Sequence, residues 1–325
     1  MTFLLRCLVL SLAAFGVAAL VSSVVVALAW WQRAPGTRDV TPARRADTLL
    51  RLRLVPAVVA AGTGLFAVVG LWRFESRDTD EVIGWTLRVG ATCGAVYLAL
   101  FAARVWTMAF ETRRLLDAWL VGATRITLPD VTVPAFRVHT GFPVVAVVGI
   151  FRPTLVVDGA VLAACSADEL AAILAHEHGH LRRWDNLRRA LFAATPDLLG
   201  GTPASRDLRH AWREATEEAA DDVAAERGET ARVHLAAALL RIARLAPATA
   251  TGPAASFHGA QLPASALYRG ESVERRVRRL CDGPPPAGRP RRHWGVALGT
   301  AAVALAFSLQ EHVHDAMEMA VALLP

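Results

Sequence analysis

The segment His176-Glu177-His178-Gly179-His180 places two histidines and a glutamate within about one helical turn. On a helix, side chains four positions apart lie about 40° apart, so His176 and His180 can reach one metal ion, while Glu177 points about 100° away. Two imidazole ligands with a carboxylate beside an open position are what zinc-dependent hydrolysis requires. The carboxylate takes a proton from the zinc-bound water and passes it to the leaving amine. The spacing predicts one zinc ion per chain, with Glu177 as general base.

A catalytic zinc site needs a third protein ligand and an empty fourth position. Acidic candidates are concentrated in residues 213–222, which are predicted to lie on a later helix. A helical wheel drawn on the apolar positions of that helix places Glu218 nearer the apolar stripe than Glu217. Both remain candidates on this reasoning, whereas Glu214 and Asp222 are expected to be solvated helix charges.

The histidine-bearing helix begins at a recognisable signal. Residues 166–169 read Ser-Ala-Asp-Glu, a capping box in which serine and glutamate bind each other's backbone N–H groups. Before it, β-branched residues and turn signals predict three or four short strands, at 126–128, 131–138, 143–150 and 154–157. After it, Pro196 ends or bends the chain, and further helices are predicted at 206–226 and 231–245.

The composition favours a membrane protein. Of the 325 residues, 54% are hydrophobic, and the mean hydropathy of +0.36 exceeds that of most soluble proteins. The net charge is +6, but the arginines cluster beside apolar stretches instead of forming one basic face. This distribution argues against direct nucleic-acid binding. The four cysteines are widely scattered, which is typical of small buried side chains rather than of disulfides or a cysteine metal site.

Apolar runs predict the membrane spans. Residues 3–31, 54–72 and 82–110 are each long enough to cross a bilayer. A fourth span is predicted within 293–325, where the uninterrupted apolar stretch is shorter, so full crossing by 295–324 stays open.

The arginine distribution predicts the orientation of these spans. The loop 32–53 carries six arginines and is expected in the cytoplasm, whereas residues 73–81 carry more acids than arginines and are expected outside. The segment that opens at Arg113-Arg114 is then cytoplasmic, and the arginine-rich run before the fourth span agrees.

Together these motifs resemble the gluzincin membrane peptidases, which include HtpX, the CAAX prenyl proteases and the BlaR/MecR-type sensors. The resemblance rests on HEHGH followed by Glu217-x-x-Ala220-Asp221. It is closest to the BlaR/MecR-type peptidases, and residues 147–153, 166–169 and 180–186 carry this closer likeness. The resemblance implies that Glu217 is the third metal ligand and that Asp221 orients a zinc-bound imidazole. Glu218 is then the less favoured metal ligand.

The predicted fold class is a mainly α membrane protein with about four transmembrane helices. An α+β zincin-like peptidase domain is inserted between the third and the fourth. The predicted boundaries are residues 1–110 for the first three helices, 111–246 for the zinc peptidase domain, 247–292 for a Pro/Ala/Arg-rich linker with a basic helical stretch, and 293–325 for the fourth helix and its tail.

The resemblance implies a zinc endopeptidase in a bacterial cell membrane that cleaves a protein or peptide at the cytoplasmic face, a cytosolic transcriptional repressor being one candidate substrate. No external ligand-binding domain is expected after the fourth span, which argues against antibiotic sensing.

Two alternatives are an HtpX-like quality-control protease and a non-catalytic metal-binding signalling protein, although a structural metal site has no need for Glu177. The strand at 144–150 is expected either to be core or to hold a substrate backbone by strand addition.

Overall fold

The computed structural model of the protein describes residues 3–33, 40–74, 84–140, 142–245 and 273–283. The predicted fourth span within 293–325 and most of the predicted linker at 247–292 lie outside these residues. The described chain is mainly helical with one small mixed sheet. This confirms the mainly α class for that part of the protein.

Three long helices form the N-terminal part: α1 (Phe3–Arg33), α2 (Pro42–Phe74) and α3 (Trp85–Leu120). Each contains a stretch long and apolar enough to cross a membrane. Many of their large apolar side chains are exposed on the protein surface, as expected for helices that face lipid. The three predicted N-terminal spans are therefore confirmed as helices of sufficient length and hydropathy.

Two of these helices are longer than predicted. α2 begins at Pro42, so residues 42–53 are helical rather than part of a loop, and α3 continues to Leu120, beyond the predicted end at residue 110. Proline is well suited to the first turn of a helix. Ala46 and Leu49 then recur at helical spacing and are buried. The high arginine content of this segment conceals that apolar stripe in the sequence.

Glycines allow α1 and α3 to pack closely. A Cβ atom added at Gly94 would lie 2.2 Å from the carbonyl oxygen of Leu12, and one at Gly16 would lie 2.5 Å from that of Gly90. Small residues at such positions are typical of close contacts between membrane helices. The two helices are therefore fixed against each other at these positions.

A four-stranded sheet follows α3. Its strands are β1 (Thr124–Ile126), β2 (Ala135–Val138), β3 (Val145–Val148) and β4 (Thr154–Asp158). Their order is β1-β2-β4-β3, with β2 and β4 parallel and the two outer pairs antiparallel. Four short strands are present as predicted, although the first lies at Thr124–Ile126 instead of 126–128 and the second begins at Ala135 instead of 131. Strand β3 forms one edge of the sheet within the described chain.

Shorter helices complete the described chain: α4 (Gly159–Ala164), α5 (Ala167–Arg182), α6 (Asp185–Ala194), α7 (Pro203–Ala225), α8 (Glu229–Leu245) and α9 (Val273–Asp282). The predicted capping box begins α5: the Glu169 N–H donates to Ser166 Oγ at 3.2 Å, and the Ser166 N–H donates to Glu169 Oε2 at 2.8 Å. α6 ends before Pro196, as predicted.

Both faces of the sheet are covered. Val145 and Val147 pack into a core that includes residues of α5 and α8. Ala146 and Val148 pack on the other face, in a cluster that includes Trp119 from the end of α3. Strand β3 is buried on both faces for this reason, although it lies at the sheet edge.

Helices α1 and α2 meet the shorter helices α6 and α7 in an apolar cluster, here called the docking cluster. It is formed by Trp30 of α1, Ala46 and Leu49 of α2, Phe192 of α6, and Leu208, Ala211, Trp212 and Ala215 of α7. The rings of Phe192 and Trp212 stack with their centroids 4.5 Å apart. The docking cluster joins the N-terminal extension of α2 to the helices that surround the candidate site.

Replacing Gly94 by alanine is expected to lower the free energy of unfolding by about 1–3 kcal/mol, because the added Cβ has no room against the Leu12 carbonyl. Thermal unfolding in detergent measures the effect. Gly62→Ala in α2 is the matched control, since nothing lies within 4 Å of its added Cβ. Equal melting temperatures for the two variants would show that the α1–α3 contact is looser than described.

Candidate metal centre

Helix α5 carries the predicted histidines and glutamate and places them inside the protein. His176, Glu177 and His180 are buried, whereas His178 is exposed on another face of the helix. Gly179 lets α7 come close, since a Cβ atom there would lie only 3.2 Å from the Cα of Ala220. The glycine therefore permits the helix contact that brings the acidic residues of α7 to the histidines.

The side chains of His176, His180 and Glu217 converge. The Nε2 of His176 lies 3.7 Å from Glu217 Oε2, and the Nε2 of His180 lies 3.9 Å from Glu217 Oε1. One donor atom from each of the three residues lies within 4.8 Å of the others. Four donors around tetrahedral zinc, each about 2.0–2.1 Å from the ion, are about 3.4 Å apart. The two histidine–glutamate separations are within about 0.5 Å of that value.

The chemistry of the donors also fits zinc. Both Nε2 atoms are buried, and neither has a hydrogen-bond partner among the residues that the structure describes. Two imidazoles and one carboxylate are a known donor set of catalytic zinc sites, which keep a further position for water or substrate. His176, His180 and Glu217 are therefore the residues that could hold the ion.

Each histidine is oriented through its other ring nitrogen. Asp221 Oδ1 lies 2.9 Å from His176 Nδ1, and Asp185 Oδ2 lies 2.8 Å from His180 Nδ1. A carboxylate at Nδ1 keeps the proton there and leaves the lone pair of Nε2 for a metal. The resemblance implied such an orienting role for Asp221, whose carboxylate lies at His176.

Asp185 was absent from the predicted site residues. It begins α6, and the chain reverses before it at Trp184, which adopts a left-handed conformation with φ 56°. This tight turn places the N-terminal end of α6 beside His180. The sequence does contain a signal for this residue, the acidic Asp185 just after the histidine-bearing helix. Residues 180–186 were used only for the family resemblance, so Asp185 was not predicted to contact a histidine.

Arg276 of α9 lies among the buried acids, with 1% of its surface exposed. Its Nη2 and Nε donate to the two oxygens of Asp221 at 2.6 and 2.8 Å, and its Nη1 lies 3.4 Å from Glu217 Oε2. The planar guanidinium suits this paired geometry. In the sequence this arginine falls within the predicted linker at 247–292 and in the arginine-rich run that agrees with the predicted orientation. The structure corrects that assignment, because α9 packs against the site.

The surrounding cations keep the buried acids ionised. Burial alone would raise the pKa of Glu217, but neighbouring charges, with His180 first among them, outweigh burial and lower this pKa to about 2. Burial likewise opposes ionisation of Asp221, yet Arg276 holds the pKa of Asp221 well below its ordinary value. A carboxylate must be deprotonated to bind a metal. The lowered pKa keeps Glu217 deprotonated at neutral pH, as a metal ligand must be.

Glu218, the alternative ligand from the helical wheel, lies outside the cluster. Its carboxylate faces Arg45 and Arg275, and burial raises its pKa. Glu214 and Asp222, predicted to be solvated, are instead ion-paired with Arg275 and with Arg279 of α9. The apolar stripe of α7 faces the docking cluster, whereas the metal centre contacts a neighbouring face of the same helix.

Glu177 lies between the histidines and strand β3. Its side chain is 2% exposed, and its Oε2 accepts a hydrogen bond from the Val147 N–H at 3.2 Å. Asn186 of α6 donates to the carbonyl oxygens of Val147 and Gly149 at 3.0 and 2.8 Å. The general-base candidate is therefore held against the outer edge of the sheet.

The stretch from β3 to the end of α6 thus contains both histidines, Glu177 and Asp185. Residues 146–200 match the family model described as Peptidase family M48. The match supports a protease of the zinc metallopeptidase type, in agreement with the donor set. No curated protein compared with the chain matches it. Glu217, Asp221 and Arg276 lie beyond the matched residues, so their assignment rests on the geometry above.

The variant Asp185→Asn is expected to lower zinc affinity about 10–100-fold, because the amide no longer fixes the Nδ1 proton of His180. Competition with a chelator measures the affinity. Asp222→Asn is the matched control, since this carboxylate binds Arg279 and not a histidine. Wild-type affinity in Asp185→Asn would refute the orienting contact.

The variant Arg276→Met is expected to lower the free energy of unfolding of the zinc-free protein by about 3–5 kcal/mol, because Asp221 stays buried without its arginine and Glu217 is left with Arg189 alone of its two arginines. Urea unfolding measures the loss. The exposed Arg278, which pairs only with Glu274 at the surface among the described residues, provides the control Arg278→Met.

The same variant should also change the pH dependence of stability. The lowered pKa of Glu217 stabilises the folded protein above the ordinary value of 4.5, and this stabilisation is lost as the pH falls towards about 2. The stability difference between wild type and Arg276→Met should therefore shrink over that range. A difference that does not change with pH would contradict the charge compensation.

Proposed function

We propose that the protein is a membrane-bound zinc endopeptidase that hydrolyses a peptide bond at the cytoplasmic face of the membrane. The observation that carries the proposal is the buried carboxylate of Glu177 beside a cluster of two imidazoles and one carboxylate. The family match over residues 146–200 supports the same chemistry.

The residues of the site have two roles in the proposed hydrolysis, metal binding and proton transfer. His176, His180 and Glu217 would hold one zinc ion, which when bound lowers the pKa of water and polarises the scissile carbonyl. The Glu177 carboxylate accepts a proton from the attacking water and delivers it to the nitrogen of the leaving amine. Its burial excludes bulk water from this transfer.

Strand β3 offers a surface for the substrate backbone. The Asp158 N–H donates to the Val144 carbonyl at 2.8 Å, so by antiparallel alternation Val145 and Val147 direct their N–H and C=O groups away from β4. A peptide that adds to this edge would replace the contacts of Val147 with Glu177 and Asn186. An extended peptide would thereby lie next to the general base.

The cytoplasmic location rests on two features. The Trp30 end of α1, the Pro42 end of α2 and the Leu120 end of α3 all lie toward the peptidase part. This is the side to which the arginine-rich residues 32–53 assign the cytoplasm. In α2, Arg44 and Arg51 remain exposed, as expected for arginines that set orientation.

Regulatory cleavage of a cytosolic transcriptional repressor and HtpX-like quality control would use the same site and differ in substrate. A purely signalling metal protein is disfavoured, because a structural zinc site would have no use for a buried carboxylate at the position of Glu177.

The variant Glu177→Gln is expected to reduce proteolysis by a factor of about 10²–10⁴ while zinc content and folding persist. Protein fragments from the membrane and the cytosol of cells that carry wild type or variant are compared, and a fragment missing from the variant identifies the substrate. The exposed His178 of the same helix provides the control His178→Ala, which should cleave normally. Wild-type cleavage by Glu177→Gln would defeat the general-base assignment.

A further inference from the structure

We propose that the membrane helix α2 positions the metal ligands through α6, and that Arg53 is the principal positioning residue in this contact. The inference rests on the proposed function only for the identity of the metal. Its evidence is a set of contacts that attach α2 to both ends of α6, while the residues between those ends touch the metal centre.

The C-terminal end of α6 is bound by two arginines from the long helices. Arg53 of α2 donates to the carbonyl oxygens of Thr195 at 2.5 Å and Phe192 at 3.4 Å, and Arg104 of α3 donates to Thr195 at 3.0 Å. The last carbonyls of a helix have no partner inside it and carry partial negative charge. These guanidinium groups therefore fix where α6 ends.

Arg53 is well placed to dominate this contact. It is 9% exposed, its Nη1 lies 3.1 Å from Asp197 Oδ2, and its guanidinium carbon lies 5.3 Å from the centroid of the Phe192 ring. Its removal would take away the nearest arginine of Asp197 and the guanidinium donor of the Phe192 carbonyl. Asp197 would keep Ser205 and the Leu199 N–H, and the Thr195 carbonyl would keep Arg104. Among the described residues Arg104 donates only to Thr195, so it would not replace the other contacts of Arg53.

The N-terminal end of α6 is attached to the same membrane helix. Asp47 of α2 lies 2.6 Å from Arg188 Nη1 and 3.4 Å from Arg183 Nη2. Both arginines approach Asp185 Oδ1, Arg183 at 3.5 Å and Arg188 at 3.9 Å. The other oxygen of Asp185 binds His180. A continuous series of charged contacts thus runs from α2 to a metal ligand.

The middle of α6 reaches the second ligand. Arg189, about one turn after Asp185, donates from Nη2 to Glu217 Oε1 at 2.9 Å. His180 and Glu217 are therefore both oriented by side chains of α6. A small shift of this helix would displace the two donors together.

The segment of α2 between Asp47 and Arg53 contains no proline, so it holds these two side chains at a fixed separation, and Pro56 follows within one turn of Arg53. Helix α2 is continuous from Pro42 into the membrane span, and Asp47 and Arg53 lie about 9 Å apart along its axis. Between them Leu49 is fully buried in the docking cluster with Phe192 of α6. The position of the second span is thereby linked to the spacing of the zinc donors.

The test compares full-length wild type, Arg53→Met, Arg53→Lys and the control Arg51→Met, all purified in detergent. Arg51 lies on the same helix but is exposed. Zinc affinity is measured by chelator competition, and melting temperatures are recorded with and without zinc. Cobalt is also substituted for zinc, because its visible spectrum reports the donor geometry.

Arg53→Met should weaken zinc binding about tenfold or more, reduce the rise in melting temperature on zinc addition, and alter the cobalt spectrum. Arg53→Lys should recover part of the affinity, and Arg51→Met should match wild type. If Arg53→Met does not fold, Arg104→Met and Asp47→Asn, which each remove fewer contacts, should still weaken zinc binding measurably.

An unchanged zinc affinity in folded Arg53→Met, with only a lower melting temperature of the zinc-free protein, would reduce Arg53 to a structural role and overturn the inference. The proposed function would survive that result. Wild-type protein that takes up no zinc would overturn the proposed function, and this inference with it.

Discussion

The structure around the candidate site depends on the pairing of charges that are shielded from water. Asp185, Glu217 and Asp221 are buried beside two imidazoles. Buried carboxylates persist only when cations and hydrogen-bond donors surround them. Arg276 of α9 and Arg189 of α6 supply that compensation to Asp221 and Glu217, and Arg183 and Arg188 approach Asp185. Helices α9 and α6 flank the pair formed by α5 and α7. Electrostatics thus holds these four helices around the metal centre, in addition to the apolar core.

The sequence predicts those parts of the site whose residues lie close together along the chain. The capping box and the spacing of His176 and His180 lie within one helix, so periodicity was sufficient. Arg276 is 55 positions away from Asp221 in sequence, and no local pattern indicates such a partner. The choice between Glu217 and Glu218 was ambiguous because α7 has two buried faces, and a wheel drawn on one apolar stripe describes only the face toward α2.

Hydropathy located the three candidate membrane helices of the described chain but not the ends of these helices. It detects where a helix enters lipid, whereas α2 begins earlier, in a segment whose arginines were interpreted as orientation signals. Some of these arginines also make contacts: Arg45 approaches Glu218 and Arg53 binds the end of α6. Arginines that dock helices and arginines that would set orientation are the same residue type, and sequence alone does not separate the two uses.

The docking cluster bears on how this protein can be prepared. A recombinant fragment that lacks the first 110 residues would bare Phe192, Leu208 and Trp212 on one contiguous surface. It would also leave the Thr195 carbonyl without both of its guanidinium donors. Apolar patches of this kind promote self-association. A water-soluble version of the catalytic part therefore needs either the first turns of α2 retained or that face redesigned with polar side chains.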